Sequence, residues 1–169
     1  MTMTEWFRAQ LDAEAGRTRR TLERVPEGRE DWRPHERSMP FGRLAMLVAT
    51  MPSWVALIVD RDELDVRPQG GSNVSQRPLR IPAELVGAHD EAVAQARKAL
   101  AATTDARLAG PWRLLLAGKV MREEPRYDVL RDTFAHLAHH RGQLTVYLRL
   151  NGAPVPSIYG PSADDDSFN

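Results

Sequence analysis

Two histidines in the C-terminal third of the chain, His136 and His140, stand four residues apart. Side chains with this spacing lie one turn apart on the same face of an α-helix, so both imidazoles can reach one ion. Metal binding is one interpretation, and the other is a pair of core histidines that each satisfy a hydrogen bond. The motif lacks the glutamate of a zinc-protease helix.

A metal site needs more than these two ligands. Catalytic zinc or nickel usually takes three protein ligands and a water, so another helix must supply a partner. His89 is the best remaining candidate because it shares a helical stripe with Leu85 and Val93. The alternative is a partly buried histidine bonded to a carbonyl group. His139 points away from the first pair, which favours an indirect or surface position, and His35 falls in a loop.

Composition excludes several classes of protein. The 169 residues include 23 Lys and Arg, 23 Asp and Glu, and no cysteine. There is therefore no disulfide framework, no thiolate zinc site and no cysteine nucleophile, and any metal must be held by His, Asp or Glu. A formal net charge of zero provides no basic field for a phosphate backbone, so nucleic-acid binding has no support.

The hydropathy pattern gives no membrane-spanning segment and no secretion signal. The most apolar stretch, residues 44–59, has only 16 residues and is interrupted by polar residues and Pro52. Residues 5–8 carry charged and aromatic side chains where a secretion signal would need an apolar block. The sequence therefore predicts a cytoplasmic protein without membrane contact.

Four segments have helical periodicity, and proline and glycine mark their connections. The predicted helices span residues 4–24, 41–61 with a kink at Pro52, 82 to about 102, and 127–150. Residues 65–81 form a predicted loop, long enough to be disordered or to act as a lid. Residues 112–120 are apolar without clear period, and residues 153–169 form an extended tail. This pattern predicts an all-α four-helix bundle with a single domain over residues 1–169.

The same residues carry a family resemblance. The run HLAHHRGQLTVYLRLNG over residues 136–152, followed by PVPSIYGPSAD over residues 154–164, resembles the C-terminal half of the DinB family. The run SMPFGRLA over residues 38–45, with MPSW at residues 51–54, resembles the start of that family's second helix. The match covers most of the chain.

The resemblance implies a fold, an assembly and a cofactor. The expected fold is an antiparallel four-helix bundle of the DinB/YfiT-like type, forming a homodimer, with zinc or nickel held by three histidines. Two of those ligands fall on His136 and His140, but the third falls on Leu47 in the second helix, which cannot bind a metal. Either another residue such as His89 supplies the third ligand, or the site is weak or empty.

Two functions remain open at this point. The first is a metal-dependent hydrolase or thiol-dependent transferase, in which the 65–81 loop helps to close the pocket. Arg141, Gln143 and Tyr147 then stand where they contact metal ligands or substrate, although each also has a structural explanation. The alternative is a metal-free, stress-related protein whose cleft binds a ligand or partner. Leu47 favours this alternative, whereas the retained histidine pair favours the enzyme.

Overall fold

The computed structural model describes residues 1–68 and 81–167, so residues 69–80 of the predicted loop lie outside the described residues. The chain forms six helices and three strands in these ranges. In chain order they are α1 Met3–Leu22, α2 Phe41–Thr50, α3 Ser53–Asp60, β1 Glu63–Asp65, α4 Pro82–Ala102, α5 Asp105–Ala109, β2 Pro111–Leu116, β3 Lys119–Pro125 and α6 Arg126–Leu150.

The helices pack as a bundle. α1 contacts α4 and α6, and α2 and α3 together contact the same two helices from another side. α1 begins with a capping box, in which the Thr2 hydroxyl accepts from the Glu5 backbone and the Glu5 carboxylate accepts from the Thr2 backbone. Its apolar stripe, including Phe7, Leu11 and Leu22, is buried. The four predicted helical segments are therefore confirmed.

The predicted kink at Pro52 is a complete break. α2 ends at Thr50 and α3 begins at Ser53, and the two axes differ in direction by 48°. Proline has no backbone N–H and its ring crowds the preceding turn, which explains the break. Among the described residues no single helix is long and apolar enough to cross a membrane, although α2 and α3 taken together reach that length and composition across their bend.

The prediction of an all-α fold is wrong. A three-stranded sheet has the order β1-β2-β3, with β1 parallel to β2 and β2 antiparallel to β3. The strand β2, the turn after it and the first two residues of β3 occupy the apolar region, residues 112–120, that lacked helical period. Trp112 on β2 is buried in the core, whereas the next residue, Arg113, pairs with Glu63 on β1, because successive side chains of a strand point to opposite faces. A short helix, α5, also forms where only a helix end was expected.

The hairpin between β2 and β3 depends on a carboxylate from the neighbouring strand. Ala117 and Gly118 at the turn have φ of 52° and 80°, as in a type I′ turn. The Asp65 carboxylate accepts hydrogen bonds from their backbone N–H groups at 3.0 and 2.7 Å. Bonds from the backbone of Arg67, Gly118 and Ala117 lower the pKa of Asp65. The sheet therefore holds a turn in which one residue is not glycine.

The hydrophobic core divides at the bend into two clusters. The first core cluster surrounds α2 and the second half of α6, and the second core cluster surrounds α3 and the first half of α6. Their largest members are, in the first, Leu22, Phe41, Leu44, Met51, Leu85, Leu137, Leu144, Tyr147 and Leu148, and in the second, Phe7, Leu11, Ile58, Leu100, Leu108, Trp112, Leu130 and Phe134. Trp54 packs against both clusters.

Two arginines satisfy the carbonyl groups at the end of α3. Arg126 is 2% exposed, and its guanidinium donates to the carbonyls of Ile58 at 3.2 Å and Arg61 at 3.3 Å. Arg107 donates to the carbonyl of Val59 at 3.2 Å. Cationic donors at a helix C-terminus meet both its unpaired carbonyls and its negative dipole end. They fix where α3 stops and β1 begins.

Replacement of Arg126 by methionine tests this capping. Arg126→Met leaves the buried carbonyl of Ile58 and the carbonyl of Arg61 without this donor, and we expect the free energy of unfolding to fall by about 2–3 kcal/mol. The matched control is Arg113→Met, because the ion pair of Arg113 with Glu63 is about half exposed, with side chains 44% and 46% exposed. We expect less than about 1 kcal/mol there. Urea denaturation followed by circular dichroism measures both, and equal losses would contradict the capping role.

Candidate ligand-binding cavity and histidine pair

The helix α6 brings two of the predicted site residues together. His136 and His140 lie on adjacent turns, with their Nε2 atoms 2.9 Å apart and their ring centroids 4.6 Å apart. The Nδ1 atom of His140 lies 2.8 Å from the side-chain oxygen of Gln143. The predicted proximity of these two side chains on one face of the helix is therefore confirmed.

The hydrogen bonds among His136, His140 and Gln143 determine which imidazole nitrogen of each histidine carries the proton. An amide oxygen only accepts, so His140 donates to Gln143 through Nδ1–H. The Nε2 atom of His140 is then an acceptor, and it receives the Nε2–H of His136. The Nδ1 atom of His136 keeps its lone pair. The three side chains thus form one directed chain that ends in a basic nitrogen.

The pair lies at the edge of the bundle and not in its interior. His136 is exposed, His140 is half-buried, and the Trp54 ring centre lies 5.6 Å from that of His136. Partial loss of hydration is the main cause that lowers the pKa of His136. Electrostatic repulsion from His140 and His139 lowers it further. The neutral form of His136 is therefore favoured.

His89, the third predicted ligand, is placed elsewhere. It is 1% exposed, and its Nε2–H donates to the backbone carbonyl of Ala15 on α1 at 3.1 Å. Leu47 packs against the first core cluster. Within residues 1–68 and 81–167, no three His, Asp or Glu side chains converge as a metal-binding group. The donor set near His136 therefore does not fit the three-histidine site that the resemblance implies.

An apolar cavity of about 510 Å³ adjoins His136. α3, the sheet and the first half of α6 enclose it. Its apolar wall consists of Trp54, Leu57, Ile58, Leu64, Val66, Trp112, Leu114 and Val129, and its polar lining consists of Asp65, Asp132, Thr133 and His136. The volume suits a small organic molecule, and walls of this composition are typical of ligand sites.

Most polar side chains of the cavity already have partners. Asp65 holds the hairpin turn, and Asp132 forms an ion pair with Arg122 at 3.2 Å. The Thr133 hydroxyl donates to the Val129 carbonyl at 2.8 Å. Among the described residues, His136 adds an imidazole nitrogen, Nδ1, that forms no hydrogen bond with the protein.

Two other predicted contact residues have structural roles. Arg141 is 1% exposed and binds the Glu14 carboxylate at 2.6 Å, so it faces α1 and not the cavity. The Tyr147 hydroxyl donates to the Met39 carbonyl at 3.1 Å, and its ring packs edge-on against Trp32. Of the three residues given a possible role beside the histidines, only Gln143 contacts one of them.

The sequence did not predict the side of the cavity that is formed by residues of β1 and β2. Leu64 on β1 and Leu114 on β2 are paired in register and line the cavity together with Trp112. The alternation of Trp112 and Leu114 about Arg113 is a strand signal, but it spans too few residues to separate it from a helix end. The residues of β1 lie about fifty positions earlier, so local pattern does not join them.

Comparison with known proteins settles the family. The DinB family profile matches residues 2–167. The chain belongs to the DinB family. Two DinB-like crystal structures share its fold. YjoA from Bacillus subtilis aligns with a TM-score of 0.68 and 16% identity over 95% of this chain and 99% of that one. A protein from Bacillus cereus ATCC 10987 aligns with a TM-score of 0.71 and 19% identity over 92% and 97%.

A curated relative gives a shorter match. The uncharacterized protein YrdA of Bacillus subtilis (strain 168) is 41% identical over 44 residues, which is 26% of this DinB chain and 26% of YrdA. The chain thus aligns with about a quarter of the relative's length. The resemblance seen in the sequence is confirmed, and at such identities the crystal structures establish the fold alone.

Buried His89 predicts a pH dependence of stability in this DinB protein. Burial is the main cause that lowers its pKa below the usual 6.5, so the unfolded chain takes up a proton that the folded protein resists. This contribution to stability is complete above about pH 6.5 and is lost as the pH falls below it. We expect the free energy of unfolding to be ~1 kcal/mol lower at pH 5.5 than at pH 7.5.

The variant His89→Gln keeps a donor for the Ala15 carbonyl but does not titrate, so the pH dependence should become shallower. Urea denaturation at both pH values measures it. His35→Gln removes an exposed imidazole and serves as the control. An unchanged pH dependence in His89→Gln would show that another group is responsible.

Proposed function

We propose that this DinB protein binds a small, largely apolar molecule in the cavity between α3, the sheet and α6. The observation that carries the proposal is the continuous apolar wall with two tryptophans, Trp54 and Trp112, beside the polar edge at His136. Small-molecule sites combine such a wall with a few oriented polar groups. Apolar area removed from water contributes roughly 25 cal/mol per Å², so the wall supplies the affinity.

The histidine group gives the cavity one directional contact. The Gln143 oxygen fixes the tautomer of His140, which in turn orients the Nε2–H of His136. His136 therefore presents a neutral ring with a free acceptor nitrogen. A ligand that carries a hydroxyl or N–H group at this edge gains a hydrogen bond there.

A metal-dependent hydrolase or thiol-dependent transferase is the second candidate. It is favoured by the convergence of the two Nε2 atoms at 2.9 Å, close to the ~3.3 Å expected for two imidazole ligands of one tetrahedral zinc. It is opposed by Leu47 at the third position and by His89, which bonds to Ala15 instead. The homodimer implied by the family stays a prediction.

Filling the cavity tests the first proposal. Val129 lines the cavity on α6, and Val129→Phe places a phenyl ring into the space where the ligand binds. We expect the unmodified protein to bind the neutral dye Nile red, seen as enhanced dye fluorescence, and Val129→Phe to bind it at least about fivefold more weakly.

The matched control is Val146→Phe, the same substitution on the same helix at a position that is 55% exposed. It should bind the dye as the unmodified protein does. Equal weakening by both variants, or no binding by any of the three proteins, would contradict the cavity as the site.

Metal titration separates the two candidate functions. Calorimetry with zinc and nickel, on protein purified without a nickel column, should show weak binding because two histidines leave the shell incomplete. Leu47→His should tighten binding at least ~10-fold if the third position is correctly placed, whereas Leu47→Gln adds polarity without a good ligand.

Nanomolar binding by the unmodified protein would favour the metal-dependent enzyme over the metal-free proposal. Equal affinity of Leu47→His and Leu47→Gln would instead show that the third family position does not fall on Leu47.

A further inference from the structure

The polar lining of the cavity carries negative charge. The carboxylates of Asp65 and Asp132 line it together with Thr133 and His136, and the lining within the described residues includes no Lys or Arg. The lowered pKa of His136 keeps its imidazole neutral at neutral pH, so this ring adds no positive charge to the cavity edge. A ligand therefore meets carboxylates and no cationic side chain in the described lining.

Asp65 keeps its charge without a cationic partner in the described part of the chain. Its carboxylate accepts hydrogen bonds from the backbone N–H groups of Arg67, Ala117 and Gly118 at 2.9, 3.0 and 2.7 Å. These bonds lower the pKa of Asp65, so the side chain is ionised at neutral pH. Backbone amides stabilise this negative charge but do not neutralise it.

Asp132 belongs to a surface network in which carboxylates outnumber guanidinium groups. Arg122 binds Asp132 at 3.2 Å and Glu124 at 2.7 Å. Arg131 binds Asp132 at 3.3 Å and Asp128 at 2.7 Å. Three carboxylates thus share two arginines, and each arginine lies closer to a carboxylate other than that of Asp132. The network leaves the Asp132 side of the cavity net negative.

We propose that the cavity selects ligands that carry a protonated amine on an apolar body. The inference rests on the proposed ligand-binding function and names the ligand class, a lipophilic amine. The apolar wall receives the hydrocarbon part, and the field of Asp65 and Asp132 favours the ammonium group. This selection needs no direct contact with either carboxylate, because opposite charges attract across several ångströms beside a low-dielectric wall.

Three naphthalene probes of similar shape separate charge from apolar fit. At about pH 7.5, 2-naphthylmethylamine is a cation, 2-naphthalenemethanol is neutral and 2-naphthoate is an anion. Each probe is titrated into the full chain with Nile red bound, and the loss of dye fluorescence measures its affinity. We expect the amine to bind at least ~10-fold more tightly than 2-naphthoate, with the alcohol between them.

Salt and one pair of matched variants trace this preference to the cavity charges. At ~1 M NaCl the ratio of the amine and 2-naphthoate affinities should fall below ~3-fold, because salt screens the carboxylates. Asp132→Asn removes a charge from the lining and leaves Arg122 and Arg131 their other carboxylates. We expect it to lower the ratio at least ~3-fold.

The control is Asp12→Asn, which changes the net charge equally on α1, where Asp12 is 58% exposed and pairs with Arg97. This variant should keep the preference of the unmodified protein. The side chain of Asp132 is 42% exposed, so its replacement leaves the core intact. The three probes and the salt series on the unmodified protein test the inference without any variant.

The outcomes are distinguishable from a failure of the proposed function. If Nile red binds but the amine does not displace it more readily than the alcohol and 2-naphthoate, the inference is overturned and the cavity remains a ligand site. Equal loss of the preference in Asp132→Asn and Asp12→Asn also overturns it, because the net charge of the whole protein then explains the ratio. If Nile red does not bind, or if Val129→Phe and Val146→Phe weaken it equally, the cavity function fails and this inference fails with it.

Discussion

The buried ion pair between Glu14 on α1 and Arg141 on α6 determines how the two helices face each other. Both side chains are nearly inaccessible, at 3% and 1% exposure, and are joined at 2.6 Å. Burying two charges costs several kcal/mol unless their remaining hydrogen-bonding groups are satisfied. Here the Thr18 hydroxyl and the Tyr159 hydroxyl accept from the Arg141 guanidinium, and Arg17 binds the other Glu14 oxygen. Rotation of α6 would break the contacts of Arg141 with Glu14, Thr18 and Tyr159 at once.

The orientation of the candidate site follows from this constraint. Successive residues of a helix are ~100° apart, so Arg141 directed at α1 turns the preceding His140 away from α1. His136, one turn earlier on the line of His140, is thereby directed to the cavity edge beside Trp54. The same turn of α1 that contacts Arg141 also contacts α4, because the Ala15 carbonyl accepts a hydrogen bond from His89. The buried guanidinium of Arg141 thus fixes the direction in which the candidate site on α6, with His136 and His140, faces.

Local pattern was sufficient for the helices and for the histidine pair, since both depend on spacing within one segment. The position of the bend at Pro52 was also predictable because the effect of a proline is local, although the structure has a break between two helices where a kink was predicted. The sheet was missed for a physical reason: β1 has three residues, and its parallel partner β2 begins about fifty positions later. The hairpin turn has Ala117 where Asn, Asp or Gly is typical, and Asp65 from another strand stabilises it. The cavity required this non-local pairing and was therefore out of reach of the sequence.

The 48° bend at Pro52 also has an evolutionary consequence, because it separates the first core cluster from the second. The cavity draws its wall from the second cluster and its surroundings, whereas the first cluster contributes none of its buried side chains to it. Mutations that reshape the wall carry a stability cost, as most substitutions in packed regions do. The packing of the first cluster, which lies outside the cavity, can offset this loss in the free energy of unfolding. The proposed ligand preference can therefore change among related proteins while the helical bundle persists.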